Sequence, residues 1–354
     1  MRPPRVVTLL WAPRSRCNFG CDYCYFGTLE EHREAPPTQP GQLSHLSQAD
    51  LHLADITRFL STIGDSSVKR VFIAGGEPLN WAPIGAVIQT LTSAGVEVTV
   101  CTNGAPLNRP AIRTMLLDTG VHGVSVSLDS ADPELNDLHR PAHNRADGWA
   151  SVVSGIRALL ADRAGLPDRS ALPKIGLYCV LTRLTLGGLP DTARFAGELG
   201  LDYFVPQPIA LQPDHRLYDE LVLREEDLAT LTRVFDEVYD ADLGLELPSS
   251  RYPEVVASTV RTELQMVHGC FGGHRLVFIQ PDGTVWDCPS SHKIAAMARA
   301  GTQRSIATHT AAELFPAQTA TGGCDCPLFS GDCVNMLPLM EDFDRFLTTI
   351  GGAR

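Results

Sequence analysis

The 354-residue sequence contains no apolar run long enough to span a membrane. It does not open like a secretory signal either. Val6–Trp11 is a short apolar stretch, Arg14 and Arg16 follow at once, and no small-residue cleavage site comes after. Basic charge is scarce: 29 Lys plus Arg stand against 41 Asp plus Glu, a net charge of −12. The electrostatic footprint of a DNA- or RNA-binding protein is therefore missing. There is no low-complexity tract. These absences predict a cytoplasmic protein with neither a membrane nor a nucleic acid as partner. The chain is long enough for a sizeable core. Its acidity suits cationic ligands, or serves solubility alone.

What the sequence does have is cysteine. Cys17, Cys21, Cys24, Cys101, Cys179, Cys270, Cys288, Cys324, Cys326 and Cys333 make ten, and eight of them fall in two tight groups. In a chain of this length without a secretory signal, that grouping points to metals or catalysis rather than disulfides.

From Arg5 to about residue 208, β-branched apolar runs alternate with amphipathic stretches. The strands are expected at 5–11, 69–74, 96–101, 122–128, 174–181 and 203–208, and the helices at 48–63, 82–94, 109–118, 146–162 and 188–199. Six such units predict an α/β fold with a parallel sheet, too short for the eight-stranded closed barrel. A partial (β/α)6 barrel over 1–223 is the expected architecture, with the site at the C-terminal strand ends. Residues 224–354 are expected to form linker helices and a small extension. Pro281-Asp282-Gly283 between two apolar runs signals a hairpin there, 27–49 reads as a loop or lid, and 336–349 as a terminal amphipathic helix.

In Cys17-Asn-Phe-Gly-Cys21-Asp-Tyr-Cys24, three thiols can converge on one object, and Gly20 eases the tight backbone. Three cysteines leave one position of a four-iron cluster open, whereas structural zinc usually takes four protein ligands. This CxxxCxxC loop after a first strand, with Tyr23 before its last cysteine, resembles the signature of the radical S-adenosylmethionine (SAM) superfamily. The resemblance implies a [4Fe–4S] cluster on Cys17, Cys21 and Cys24, with SAM on its free iron. Gly75-Gly76-Glu77-Pro78 resembles the family's GGEP motif for the SAM amino group. Asn103 in Thr-Asn-Gly, Ser127 and Asp129 after the fourth strand, and Arg140 match further SAM-side positions. Ser127 and Asp129 are expected on one face by strand alternation. Each of these also reads as an ordinary turn or surface residue.

Cys270, Gly283 and Cys288 follow a C-x12-G-x4-C spacing. With Cys324, Cys326 and Cys333 this resembles the SPASM/twitch extension, which implies one auxiliary [4Fe–4S] cluster. Cys270, Cys288, Cys326 and Cys333 are the favoured ligands, with Cys324 able to replace Cys326 and a structural zinc as the alternative. The resemblance to twitch enzymes of aminoglycoside and aminocyclitol biosynthesis implies hydrogen abstraction from a carbinol carbon. Epimerisation would follow with Cys179 as the thiol donor, or dehydrogenation with the auxiliary cluster as electron acceptor. Cys101 and Cys179 are otherwise small buried hydrophobes. A small cationic substrate is expected, with Glu30, Glu31, Asp214 and Asp219 as candidate amine ligands, and an electron donor such as flavodoxin or ferredoxin as partner. A SPASM-type ribosomal-peptide maturase is the second reading. The cysteine loop begins at residue 17, which leaves no room ahead of it for a leader-binding domain. A non-catalytic metal-binding protein is the third reading, and it would need neither GGEP nor a SAM site.

Overall fold

The computed structural model describes residues 6–24, 50–167, 172–211, 213, 215–260, 267–290, 304–317, 324–326 and 331–342. The expected lid at 27–49 lies outside the described residues, as do Glu30, Glu31 and Asp214. β1 (Val7–Trp11), β2 (Val68–Ile73), β3 (Glu97–Thr102), β4 (Gly123–Ser127), β5 (Lys174–Leu181) and β6 (Tyr203–Pro208) pair in parallel, in sequence order. Parallel neighbours cannot be joined by a tight turn. The crossovers accordingly carry helices, Leu53–Leu60, Ile84–Ser93, Pro110–Asp118, Trp149–Ala164 and Leu189–Leu199 among them. One face of each strand packs under these helices, and Val98, Val100, Val124, Val126, Ile175 and Leu177 have no exposed surface there. This is the α/β partial-barrel fold that the sequence pattern predicts.

The sheet continues past β1. β8 (Leu276–Ile279) pairs in parallel with β1, and β9 (Val285–Trp286) returns antiparallel to β8. The order is β6-β5-β4-β3-β2-β1-β8-β9. The expected hairpin is present: Gly283 takes φ +84°, and Asp282 Oδ1 accepts the Thr284 N–H at 2.9 Å. β7 (Val267–Cys270) and β10 (Cys324–Cys326) form a separate antiparallel pair with Cys324 opposite Cys270.

The inner face of the sheet is closed at one end by the C-terminal segment. The terminal helix starts earlier than expected, at Gly331–Leu337, and passes into a π-helical turn at Pro338–Asp342; residues from 343 lie outside the described set. Pro338 has no amide hydrogen to continue the α-ladder. Met336, Leu339 and Met340 pack on Phe72, Tyr203 and Leu276 in a second apolar cluster. Tyr203 lies over the inner face of β5 because that strand has a glycine beside it. A Cβ on Gly176 would lie 2.0 Å from the ring. The Tyr203 hydroxyl then shares a 2.7 Å hydrogen bond with Ser125 Oγ. No helix among the described residues is long and apolar enough to cross a membrane.

Candidate active site

Beyond its last strand residue, β1 keeps pairing with the chain after β2. Ala74 N–H donates to Trp11 O at 2.7 Å, Gly76 N–H to Arg14 O at 2.9 Å, and Glu77 N–H to Arg16 O at 2.9 Å. So close an approach requires glycine. A Cβ on Gly75, at φ +109°, would lie 2.5 Å from Arg14 O, and one on Gly76 2.0 Å from Arg16 O. The other edge of the cysteine loop is held by the segment carrying Arg140. Gly20 N–H donates to Pro141 O, Asp22 N–H to His139 O, and His143 N–H to Asn18 O. Asp22 adds His139 Nδ1 at 3.0 Å and Arg216 Nη2 at 2.6 Å. Burial alone would raise its carboxyl, but these two partners hold it below the ordinary range.

Pinned on both sides, Cys17, Cys21 and Cys24 line one cavity of about 290 Å³. Burial, then Glu77 and the other two cysteines, push the Cys17 thiol well up. Burial pushes Cys21 to about 12, with Arg140 opposing. Three thiolates here therefore need a positive partner, while the local donors are already set for sulfur. Phe19 N–H lies 3.3 Å and Asn103 Nδ2 3.5 Å from Cys17 Sγ. The site fits an iron–sulfur cluster bound by three thiolates. Among the described residues, no three His, Cys, Asp or Glu side chains are close enough to share a single metal ion, as a mononuclear zinc requires.

Gly75, Gly76, Asn103, Ser127, Arg140 and Tyr23, expected on the SAM side, line the same cavity as the three cysteines. Two expected SAM ligands do not. Glu77 is 1% exposed and its carboxylate is taken up internally: Oε1 accepts from Leu79 N–H (3.0 Å) and Thr102 Oγ1 (2.9 Å), and Oε2 from Asn103 N–H (2.7 Å). It orients the Thr102–Gly104 loop, and burial raises its carboxyl to about 7. Asp129 is 2% exposed. It accepts the Val180 N–H at 2.8 Å, the Tyr23 hydroxyl, and Arg140 Nη1 at 3.5 Å. β4 ends at Ser127, so the alternation expected to turn both residues one way stops before Asp129. Arg140 is held charged. Burial works against it, but Cys21, Asp129 and Tyr23 outweigh burial.

Cys179 is not among the residues that line the cavity. It is 1% exposed, belongs to the core under the helices, and donates to Asp129 O at 3.2 Å. Its neighbours Tyr178 and Val180 line the cavity instead. The thiol that faces the lumen is Cys101, in register with Ser125 and raised to about 12 by burial and by Glu77. The cavity lining holds two residues absent from the expected set, Asp332 and Asn335. Asp219 has its carboxylate on Arg224 at 2.7 Å, with its side chain 91% exposed, and is not a cavity residue.

In the second group, Cys270, Cys288, Cys326 and Cys333 are all buried. Cys270 and Cys288 flank Gly272, where an added Cβ would meet Cys270 Sγ at 3.5 Å and Cys288 Cβ at 3.4 Å. Gly272 N–H points at Cys270 Sγ (3.4 Å) and Ser290 N–H at Cys288 Sγ (3.3 Å). Amide donors of this kind stabilise and tune cluster-bound thiolates. The side chain of Cys324 lies outside the described set.

The pattern of the radical SAM superfamily matches residues 12–196. Over 208 residues the chain is 34% identical to a GTP 3',8-cyclase of Rhizobium leguminosarum bv. trifolii, a match covering 57% of this chain and 51% of the relative. The chain thus spans about half the length of that relative. It is 27% identical over 300 residues to the mycofactocin maturase MftC of Mycobacterium ulcerans, covering 80% of this chain and 68% of the relative. The structure of Streptococcus suis SuiB bound to S-adenosylmethionine superposes with a TM-score of 0.59 at 20% identity, over 86% of this chain and 64% of that one. That last likeness is one of fold.

Proposed function

The chain belongs to the radical SAM superfamily, and from that premise we propose that its cysteine loop and cavity serve hydrogen abstraction from a substrate held in the lumen. The family implies a [4Fe–4S] cluster and SAM. When bound, they supply a 5′-deoxyadenosyl radical. The observation that carries the reading is that Cys17, Cys21 and Cys24 line one cavity with Gly75, Gly76, Asn103, Ser127 and Arg140. Cys17, Cys21 and Cys24 would hold the cluster, and the other residues would seat SAM. Glu77 and Asp129 act behind them, holding Asn103 and Arg140 in place. Cys270, Cys288, Cys326 and Cys333 would hold an auxiliary cluster, with Cys324 as the spare thiol.

For the substrate, similarity to MftC over 80% of the chain supports peptide maturation. A second reading, a free aminocyclitol or amino sugar reacting at a carbinol carbon, is supported by the carboxylate of Asp332 in the cavity lining. In that case Cys101, a further lumen thiol, would return a hydrogen atom in an epimerisation and be restored from its thiyl radical by one electron and one proton from the external reductant and solvent. For a dehydrogenation, Cys270, Cys288, Cys326 and Cys333 would hold a cluster able to accept the one electron released as a proton leaves to solvent. GTP, on which the cyclases act by their name, is disfavoured by the same carboxylate.

The test is anaerobic reconstitution with SAM and dithionite, with 5′-deoxyadenosine and product masses read against short peptides and aminocyclitols in D₂O. Substrate-dependent 5′-deoxyadenosine is expected with one class. Its absence with both would overturn the reading.

A further inference from the structure

The helix Gly331–Leu337 packs beside the end of β6 and contributes two polar residues to the cavity lining. Asn335 is 7% exposed. Its Nδ2 donates to Pro208 O at 3.1 Å, which fixes the amide orientation, since the reverse would set acceptor against acceptor. Gln207 Nε2 donates to the Asn335 backbone carbonyl at 3.1 Å and ties the helix to β6. The amide oxygen Oδ1 is buried and has no hydrogen-bond partner among the described residues. Buried acceptors are nearly always satisfied, so one left open on a cavity wall marks the place of a donor from a ligand. In the same cavity the Tyr178 hydroxyl is likewise buried and has no partner among the described residues. Asp332, 2% exposed, adds a carboxylate one helical turn from Asn335. A carboxylate offers about four acceptor sites, so it can serve a ligand alongside any other contact.

We propose that Asp332, Asn335 and Tyr178 form a subsite for a primary ammonium group of the substrate, on the lumen wall that β5, β6 and the C-terminal helix share. An ammonium has three donors and no acceptor, and it matches a carboxylate, an amide oxygen and a hydroxyl oxygen. A carboxylate or phosphate group would meet acceptors and like charge. The proposal rests on the reading that the substrate occupies the lumen. It narrows that substrate to one whose amine stands a short distance from the reacting carbon, whether on a lysine-like side chain or on a free cyclic amine.

The test titrates the reconstituted full chain, with SAM present, by ligand-observed NMR. Cyclohexylammonium is compared with cyclohexanol of the same shape, and Nα-acetyl-lysine methylamide with trans-2-aminocyclohexanol. The expected result is a roughly tenfold preference for the amine over cyclohexanol, the worth of one charge-assisted hydrogen bond. Asp332→Asn, which keeps shape, should erase the preference, and Tyr178→Phe should weaken amine binding roughly threefold. Asn335→Leu also loses the bond to Pro208, so Asp332→Asn is the deciding variant, checked for an unchanged melting curve. Preference for the lysine amide or for the cyclic amine tells the two sources apart, and either supports the subsite. Equal binding of amine and alcohol, or a preference that survives Asp332→Asn, overturns it. 5′-Deoxyadenosine measured in the same samples separates the two claims. Amine preference without SAM cleavage rejects the catalytic reading and leaves the subsite standing; cleavage without amine preference does the reverse.

Discussion

Replacing Gly76 with alanine would test whether the glycine pair exists to seat the cysteine loop. The new Cβ would lie 2.0 Å from Arg16 O, 2.4 Å from Arg16 C and 2.6 Å from Ser15 O. All three are backbone atoms, so no side chain can swing aside. Relief requires the 15–17 segment to move, which strains the hydrogen bonds Gly76 N–H to Arg14 O and Glu77 N–H to Arg16 O. Overpacking costs about 1–3 kcal/mol and each lost hydrogen bond about 1 kcal/mol. The expected loss is thus about 3–5 kcal/mol, a large share of a typical domain stability. Gly187 provides the control, since a Cβ there meets nothing within 4 Å. Gly187→Ala should be neutral or gain up to about 1 kcal/mol. Urea melts of the metal-free chains measure stability, and iron per chain after reconstitution reports the cysteine loop. Gly76→Ala should take up less iron than Gly187→Ala. A Gly76→Ala chain that melts with Gly187→Ala and takes up full iron would refute the reasoning.

Other expectations follow from the same geometry. Asp129→Asn leaves Arg140 without its buried counter-charge and should cost about 3 kcal/mol in a denaturation series; an unchanged midpoint would show the pair to be dispensable. Cys179→Ala should cost about 1 kcal/mol through its cavity and leave the product deuterium content unchanged. Cys101→Ser should remove solvent deuterium from an epimerised product, and the opposite pattern would restore Cys179 as the donor. Glu77 makes stability pH-dependent. Its folded value is raised from 4.5 to about 7 by burial, so the native state binds the extra proton between those limits, and stability falls by about 3 kcal/mol as pH rises through that window. His122, lowered by burial, pulls the other way near neutrality. The comparison is therefore made against Glu77→Gln, which keeps His122; equal slopes from pH 4.5 to 7 in the two chains would contradict the assignment.

Local sequence determined much of this protein. The six β/α units are legible because apolar periodicity and flanking turns act within a few residues, and the Asp282-Gly283 hairpin needs only its own turn chemistry. The cysteine spacings, the glycine pair and Arg140 are legible for the same reason, and all of them reach the site or its frame. What only the tertiary structure decided was direction and partnership. Both faces of a buried parallel strand are apolar, so Lys174–Leu181 carries no alternation to say that Tyr178 and Val180 face the lumen while Cys179 faces the helices. Glu77 and Asp129 are held out of the cavity lining by donors distant in sequence, the amides of Asn103 and Val180. The edge joined by β8 and the seating of Asp332 and Asn335 depend on the chain closing back over its first strand and its lumen. No local signal encodes that closure, because it is the packing of the whole sheet that brings residue 276 to residue 8 and residue 335 to residue 208.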